Sequence, residues 1–213
     1  RDDFRILMAF FSDDSDSTIA SCVPVRRFAW AVKRHPVKVA NYLWHSDIGE
    51  RIERGEVDGP QLHVLFQKEL GYEGSYVQFR LLWCDHFTLD RGSHAILKRT
   101  AARVPPYLLS NTNALHIDFI RERYAFPRLV RGAILSHELG LRKPDPAIYR
   151  AALKLSKTKP YETVFVDDLK PNVEAARALG MIAIRFRGAD NLRRRFRELG
   201  LDSGNVWYSR TTD

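Results

Sequence analysis

From Pro105-Pro106 onward the chain alternates between short apolar runs and amphipathic segments, and this alternation constrains the fold more than any other feature. Tyr107-Leu108-Leu109 predicts a strand ending at Ser110-Asn111-Thr112, with a helix expected near Ala114 to Tyr124. Gly132 to Leu135 reads as a second strand. Pro146 to Leu155 reads as a helix, with proline in the first turn, where its missing amide hydrogen costs nothing. Thr163 to Val166 is a third strand, and Pro171 to Leu179 a helix closed by Gly180. Met181 to Phe186 is a fourth strand, and Asn191 to Leu199 a last, basic helix followed by Gly200. Strands that are apolar on both faces belong to a parallel sheet covered by helices on both sides. Residues 4–11, Phe-Arg-Ile-Leu-Met-Ala-Phe-Phe, supply the natural fifth strand.

Between that first strand and the second, the pattern changes. From about Pro24 to Leu97, apolar residues recur at helical spacing, as in Leu62, Leu65, Phe66 and Leu70 or Phe79, Leu82 and Trp83. Glycine and proline punctuate the runs at Pro36, Gly49, Gly59-Pro60 and Gly71. The block is expected to be all-helical, inserted after the first strand, with Trp30, Trp44 and Trp83 in its core. The expected division is an α/β core of residues 1–22 and 98–213 and a helical domain of residues 23–97.

Composition narrows the function classes. The formal net charge of +8 favours anionic partners, from phosphate esters to nucleic acid, without choosing among them. Two cysteines, Cys22 and Cys84, are too few for a disulfide scaffold or a cysteine-built zinc site. No apolar run approaches the ~18 residues of a membrane span. The first run, Ile6 to Phe11, is short and ends in acids, unlike a secretory signal. A cytoplasmic setting, as a monomer or homodimer, is the expectation. The seven histidines show no metal-ligand spacing such as His-Glu-x-x-His.

In open parallel sheets, ligands bind outside the carboxyl ends of the strands. Three of the predicted strands end in polar clusters: Asp13-Asp14-Ser15-Asp16-Ser17-Thr18, Ser110-Asn111-Thr112-Asn113, and Asp167-Asp168 with Asn172 beyond. A fourth element, Arg142-Lys143-Pro144-Asp145-Pro146, sets a lysine just before a helix. Either of the first two clusters alone is an ordinary turn or cap, and Lys143 alone an ordinary surface lysine, while the adjacent acids Asp167-Asp168 after four apolar residues are a stronger signal. Together, one per strand, they cover the roles of phosphoryl transfer. Carboxylates can hold a hard cation such as Mg²⁺ through oxygen, and a carboxylate can attack phosphorus. An acid two residues on can exchange protons with the leaving group and with water. The adjacent acids Asp167 and Asp168 repel one another and call for a cation.

The order of these elements resembles the haloacid dehalogenase-like (HAD) hydrolase superfamily over essentially the whole chain. Asp14-Ser15-Asp16-Ser17-Thr18 is similar to its Asp-x-Asp-x-Thr motif, and Leu108 to Asn113 to its second motif. Leu135 to Tyr149 resembles the third motif region, and Val164 to Asp168 with Asn172 and Ala175 to Met181 the fourth. Glu53-Arg54-Gly55-Glu56 resembles a phrase from the caps of small-sugar-phosphate phosphatases and of the phosphatase domain of soluble epoxide hydrolases. The resemblance implies an α/β fold, a Rossmann-like parallel core with an all-α cap, and a Mg²⁺-dependent phosphomonoester hydrolase working through an aspartyl-phosphate on a small phosphorylated metabolite. Asp14 would be the nucleophile and Asp16 the general acid/base. Mg²⁺ would be held by Asp14, the Asp16 carbonyl and Asp168, with Asp167 as a neighbouring or alternative acid. Ser110 and Asn111 would bind the phosphoryl group, and Lys143 would neutralise it.

One departure concerns register. Ser12 and Asp13 stand between Phe11 and Asp14, where the family has the nucleophile directly after the strand. Asp13 is the alternative, but Ser15, not an acid, lies two residues after it. Other readings are a phosphomutase, a haloacid dehalogenase, and a non-catalytic nucleic-acid-binding protein. Dehalogenases of the family lack an acid at the position of Asp16. The nucleic-acid reading leans on Arg193-Arg194-Arg195-Phe196-Arg197 with Arg185 and Arg187, a run that also suits a solvated helix face.

Overall fold

The computed structural model describes residues 5–8, 23–44 and 46–202. Its centre is a five-stranded parallel sheet of β1 (Arg5–Met8), β2 (Pro106–Ser110), β3 (Ala133–Leu135), β4 (Thr163–Asp167) and β5 (Ile182–Arg185). The spatial order is β3-β2-β1-β4-β5. The chain therefore builds outward on one side of β1, then crosses to the other side. Such a reversal opens a crevice at the carboxyl ends of the central strands. Residues 9–11 of the expected first strand lie outside the described residues, as does the acidic turn after it.

The strands of the apolar pattern form because both of their faces are covered. Every residue of β2 and β4 is buried. On one face Leu109, Ile134 and Phe165 pack with Ile148, Tyr149 and Ala152 of α9 (Pro146–Ser156) and Val173 and Ala176 of α10 (Lys170–Ala178). On the other, Val164, Val166 and Ile184 pack with Leu192 and Phe196 of α11 (Ala189–Glu198). Leu108 and Leu135 meet Ile117 of α7 (Ala114–Arg123), and the short α8 (Ser136–Leu139) follows β3 directly.

Six helices lie between β1 and β2: α1 (Val23–Ala31), α2 (Pro36–Trp44), α3 (Ile48–Glu53), α4 (Gly59–Leu70), α5 (Tyr76–Cys84) and α6 (Arg91–Ala101). Local chemistry sets their ends. Asp58 with Gln61 and Ser75 with Gln78 form capping boxes that start α4 and α5, and Gly71, at φ 72°, ends α4. Phe28, Phe66, Tyr72 and Phe79 fill a separate core whose members include Leu115 and Phe119 of α7. Trp83 is half-buried against that core, as expected. Trp30 is not: it is 84% exposed. The apolar face of α1 runs through Val25, Phe28, Ala29 and Val32, and Trp30, two positions from Phe28, falls off it. The side chain of Trp44 lies outside the described residues.

The expected boundary at 97/98 falls inside α6, whose Ile96 and Leu97 join the sheet-side cluster of Val164, Val166 and Ile184. A helix on the sheet and a helix in the inserted block show the same periodicity, so the pattern could not separate them. Among the described residues no helix is long and apolar enough to cross a membrane.

Candidate active site

The carboxyl ends of β2 and β4 bring three of the candidate residues into one hydrogen-bonded group. Lys143, only 5% exposed, extends its ammonium to Asp167 Oδ2 at 2.7 Å and to the Leu109 carbonyl at 3.1 Å. It also lies 5.9 Å from the centre of the Phe165 ring, on the face of β4 that Asp167 shares. An isolated buried ammonium would be very costly, so the pairing explains how the charge can be held there. This is not the surface lysine that residue type alone suggests.

Asp167, 1% exposed, is surrounded by donors. Its Oδ1 accepts the Leu169 amide at 2.9 Å and Asn172 Nδ2 at 3.0 Å, while Oδ2 takes Lys143. The cation that the adjacent acids call for is therefore supplied to Asp167 by the chain itself. Asp168 is different. It is half-buried, and burial, reinforced by the neighbouring Asp167 charge, raises its carboxyl above the ordinary aspartate range.

Asn111 also has a role that the sequence did not show. Its Oδ1 accepts the Lys143 amide at 2.8 Å and its Nδ2 donates to the Lys143 carbonyl at 2.9 Å. The side chain thus pairs with both main-chain groups of Lys143, as a neighbouring strand would. Among the described residues Ser110, 5% exposed, makes one long contact, 3.4 Å from its hydroxyl to the Asn111 carbonyl. Ser136 ties the two strand ends: its hydroxyl accepts the Thr112 amide at 2.9 Å and donates to the Thr112 carbonyl at 3.0 Å. Asp14 and Asp16, and with them the alternative Asp13, lie outside the described residues.

A family model for haloacid dehalogenase-like hydrolases matches residues 14–180, more than three-quarters of the chain. The chain belongs to this family. The sesquiterpene phosphatase astK of Aspergillus oryzae is 31% identical over 146 residues, which cover 67% of this chain and 74% of that one. The D-ribitol-5-phosphate phosphatase of Bacteroides thetaiotaomicron is 28% identical over 144 residues, covering 63% and 69%. Longer relatives also match, and of some the chain spans 31% or less. The HAD family enzyme bt-2542 of Bacteroides thetaiotaomicron, crystallised as a magnesium complex, shares the fold with a TM-score of 0.75 over 92% of this chain and 100% of that one, at 20% identity.

Sequence reasoning passed over two residues of this hydrolase that hold the site together. Asn172 stood in the fourth motif without a stated role, yet its amide fixes the Asp167 carboxylate. Ser136 carried no motif signal, because a hydroxyl just past a strand is too common to single out.

Proposed function

We propose that the protein is a Mg²⁺-dependent phosphomonoester hydrolase acting on a small phosphorylated metabolite. The observation that carries this reading is the buried Lys143, paired with Asp167 and clamped by Asn111 where β2 and β4 end. An ammonium has three donors and two are spent, so one remains for an oxygen of the phosphoryl group. The ammonium also offsets the charge of a substrate phosphate beside the carboxylates. Two relatives named as phosphatases point the same way.

Asp14 is the nucleophile in this reading, because the acid two residues after it is Asp16, whereas Ser15 stands two residues after Asp13. Its carboxylate attacks phosphorus, the bond from phosphorus to the bridging oxygen breaks, and Asp16 gives that oxygen a proton. Water then attacks the aspartyl-phosphate, Asp16 takes its proton, and inorganic phosphate leaves with Asp14 restored. Ser110 offers its hydroxyl to the transferring oxygens. The donors at the site suit a hard cation, for Asp168 is a half-buried oxygen ligand whose own raised pKa a cation would relieve. Asp168, Asp14 and the Asp16 carbonyl would hold Mg²⁺, and Asp167 would support Lys143 from beneath. Bound there, the ion neutralises charge that builds on the phosphoryl oxygens.

Release of p-nitrophenol from p-nitrophenyl phosphate, with and without Mg²⁺, tests the reading. A panel of sugar and terpenyl phosphates would then sort substrates. Purified protein inactive across the panel in millimolar Mg²⁺ would refute it.

A further inference from the structure

The loop that carries Lys143 is held from two sides. Asn111 and Asp167 grip Lys143 itself, as described. The helical block grips the residues just before it. Arg142 Nε donates to Glu53 Oε2 at 2.6 Å, and its Nη1 lies 3.7 Å from Glu50 Oε1. Arg54 Nη1 donates to the Gly140 carbonyl at 2.9 Å, while its Nε and Nη2 reach Glu50 Oε1 at 2.9 and 2.8 Å. Two acids and an arginine from α3 and its C-cap thus meet an arginine and a carbonyl from residues 140–142.

The backbones also touch. Gly55, at φ 74°, lies so close to the core that a Cβ there would sit 2.2 Å from the His137 carbonyl oxygen. Only glycine fits that approach and that backbone angle.

We propose that Arg142 is a positioning residue: its ion pairs with Glu53 and Glu50 couple the seating of the helical block to the placement of Lys143. The proposal rests on the phosphatase reading of the site. The chemistry of the seam suits a contact that opens and closes. The side chains of Arg142 and Glu53 are 31% and 30% exposed, so water replaces each partner at small cost when they part. An apolar seam of the same extent would resist opening. No residue stands between them: Arg142 is bonded through the main chain to Lys143, whose amide and carbonyl Asn111 fixes. When the block lifts, the loop loses its upper support while the lower one remains.

Two effects of the same charges can be told apart. If Arg142 and Glu53 acted only through the field at the phosphate, Glu53→Ala would improve binding and Arg142→Ala would weaken it, both in KM. Coupling predicts loss of kcat in both. Steady-state hydrolysis of p-nitrophenyl phosphate should show kcat falling about two- to fivefold in each variant, the upper part of the range for breaking an exposed ion pair, with smaller changes in KM. Arg142→Lys, which keeps the charge, should recover most of the loss. Gly55→Ala, which wedges the seam without changing any charge, should lower kcat as well. Amide hydrogen exchange, which needs no turnover, should quicken in residues 50–56 and 136–143 of Arg142→Ala at unchanged melting temperature. Wild-type kcat in Glu53→Ala, Arg142→Lys no better than Arg142→Ala, or unchanged exchange at 136–143 would each overturn the proposal. A wild-type protein without activity would refute the phosphatase reading, and the exchange comparison would still judge the contact.

Discussion

The two adjacent acids at the end of β4 should answer opposite ways to the same substitution. Asp167 accepts three donors, from Lys143, Leu169 and Asn172, and is buried. In Asp167→Asn the amide has one acceptor oxygen and turns two donors toward a site already lined with donors. It also leaves the Lys143 ammonium buried without its counter-charge. Breaking a buried pair from one side costs about 3–5 kcal/mol. For a chain of this size about 1 kcal/mol moves the melting midpoint by about 2–4 °C, so a fall of roughly 6–20 °C is expected. Asp168 has the reverse linkage. Its folded pKa is raised, so the folded state holds that proton more tightly than the unfolded chain does, and stability is lost as pH rises through the folded value. Asp168→Asn removes this penalty. In metal-free buffer at pH 7 it should melt at or above wild type, and the difference should vanish below the unfolded aspartate value of about 3.9. Thermal unfolding of both variants in EDTA, at pH 7 and pH 3.5, measures this. An Asp167→Asn midpoint within about 2 °C of wild type, or a larger fall for Asp168→Asn, would refute the assignment of Asp167 as the buried support.

Other expectations concern turnover. Asp14→Asn should abolish hydrolysis while the melting curve stays near wild type, because an amide does not attack phosphorus; an active Asp14→Asn would turn attention to Asp13. Asp16→Ala should slow phosphoenzyme formation about 10²–10⁴-fold with an alkyl or sugar phosphate and much less with an aryl phosphate, whose leaving group needs little protonation; rapid quench with both substrates compares them. Mg²⁺ should raise the melting temperature by mass action in wild type and not in Asp168→Asn, and full activity after EDTA treatment would count against the metal-dependent reading.

The sheet was legible because burial on both faces demands apolar residues at every position, and β2 and β4 meet that demand throughout. Helix starts were legible where a chemical signal marks them, as at Pro146 and at Gly59-Pro60 after Asp58. What residue type could not reveal was direction. Asp167 and Asp168 are identical in composition, and successive strand residues point to opposite faces, so only the three-dimensional register decides which meets Lys143. Residue type at a strand end suggests phosphate binding for Asn111 but says nothing of the bonds its side chain makes to Lys143. Its partner stands 32 residues away, and no local pattern encodes that. For α6 and Trp30 the helical period was right but the identity of the neighbour was not in it.

Charge is used in two physically different ways around Lys143. The Lys143–Asp167 pair is buried, with side chains 4% and 1% exposed. Parting it would strand two charges in a poorly solvated interior, so it fixes the ammonium at one place. The Arg142 contacts to Glu53 and Glu50 are about a third to a half exposed, and water competes for every one of them. Parting them strands nothing, so they respond to the position of the helical block. On the proposed reading, a protein that takes in a phosphate ester, lets the alcohol leave and then admits the water that cleaves the aspartyl-phosphate is served by a fixed anion site beside a releasable contact. Adjacent residues 142 and 143 supply one contact of each kind, and the difference between them is burial rather than residue type.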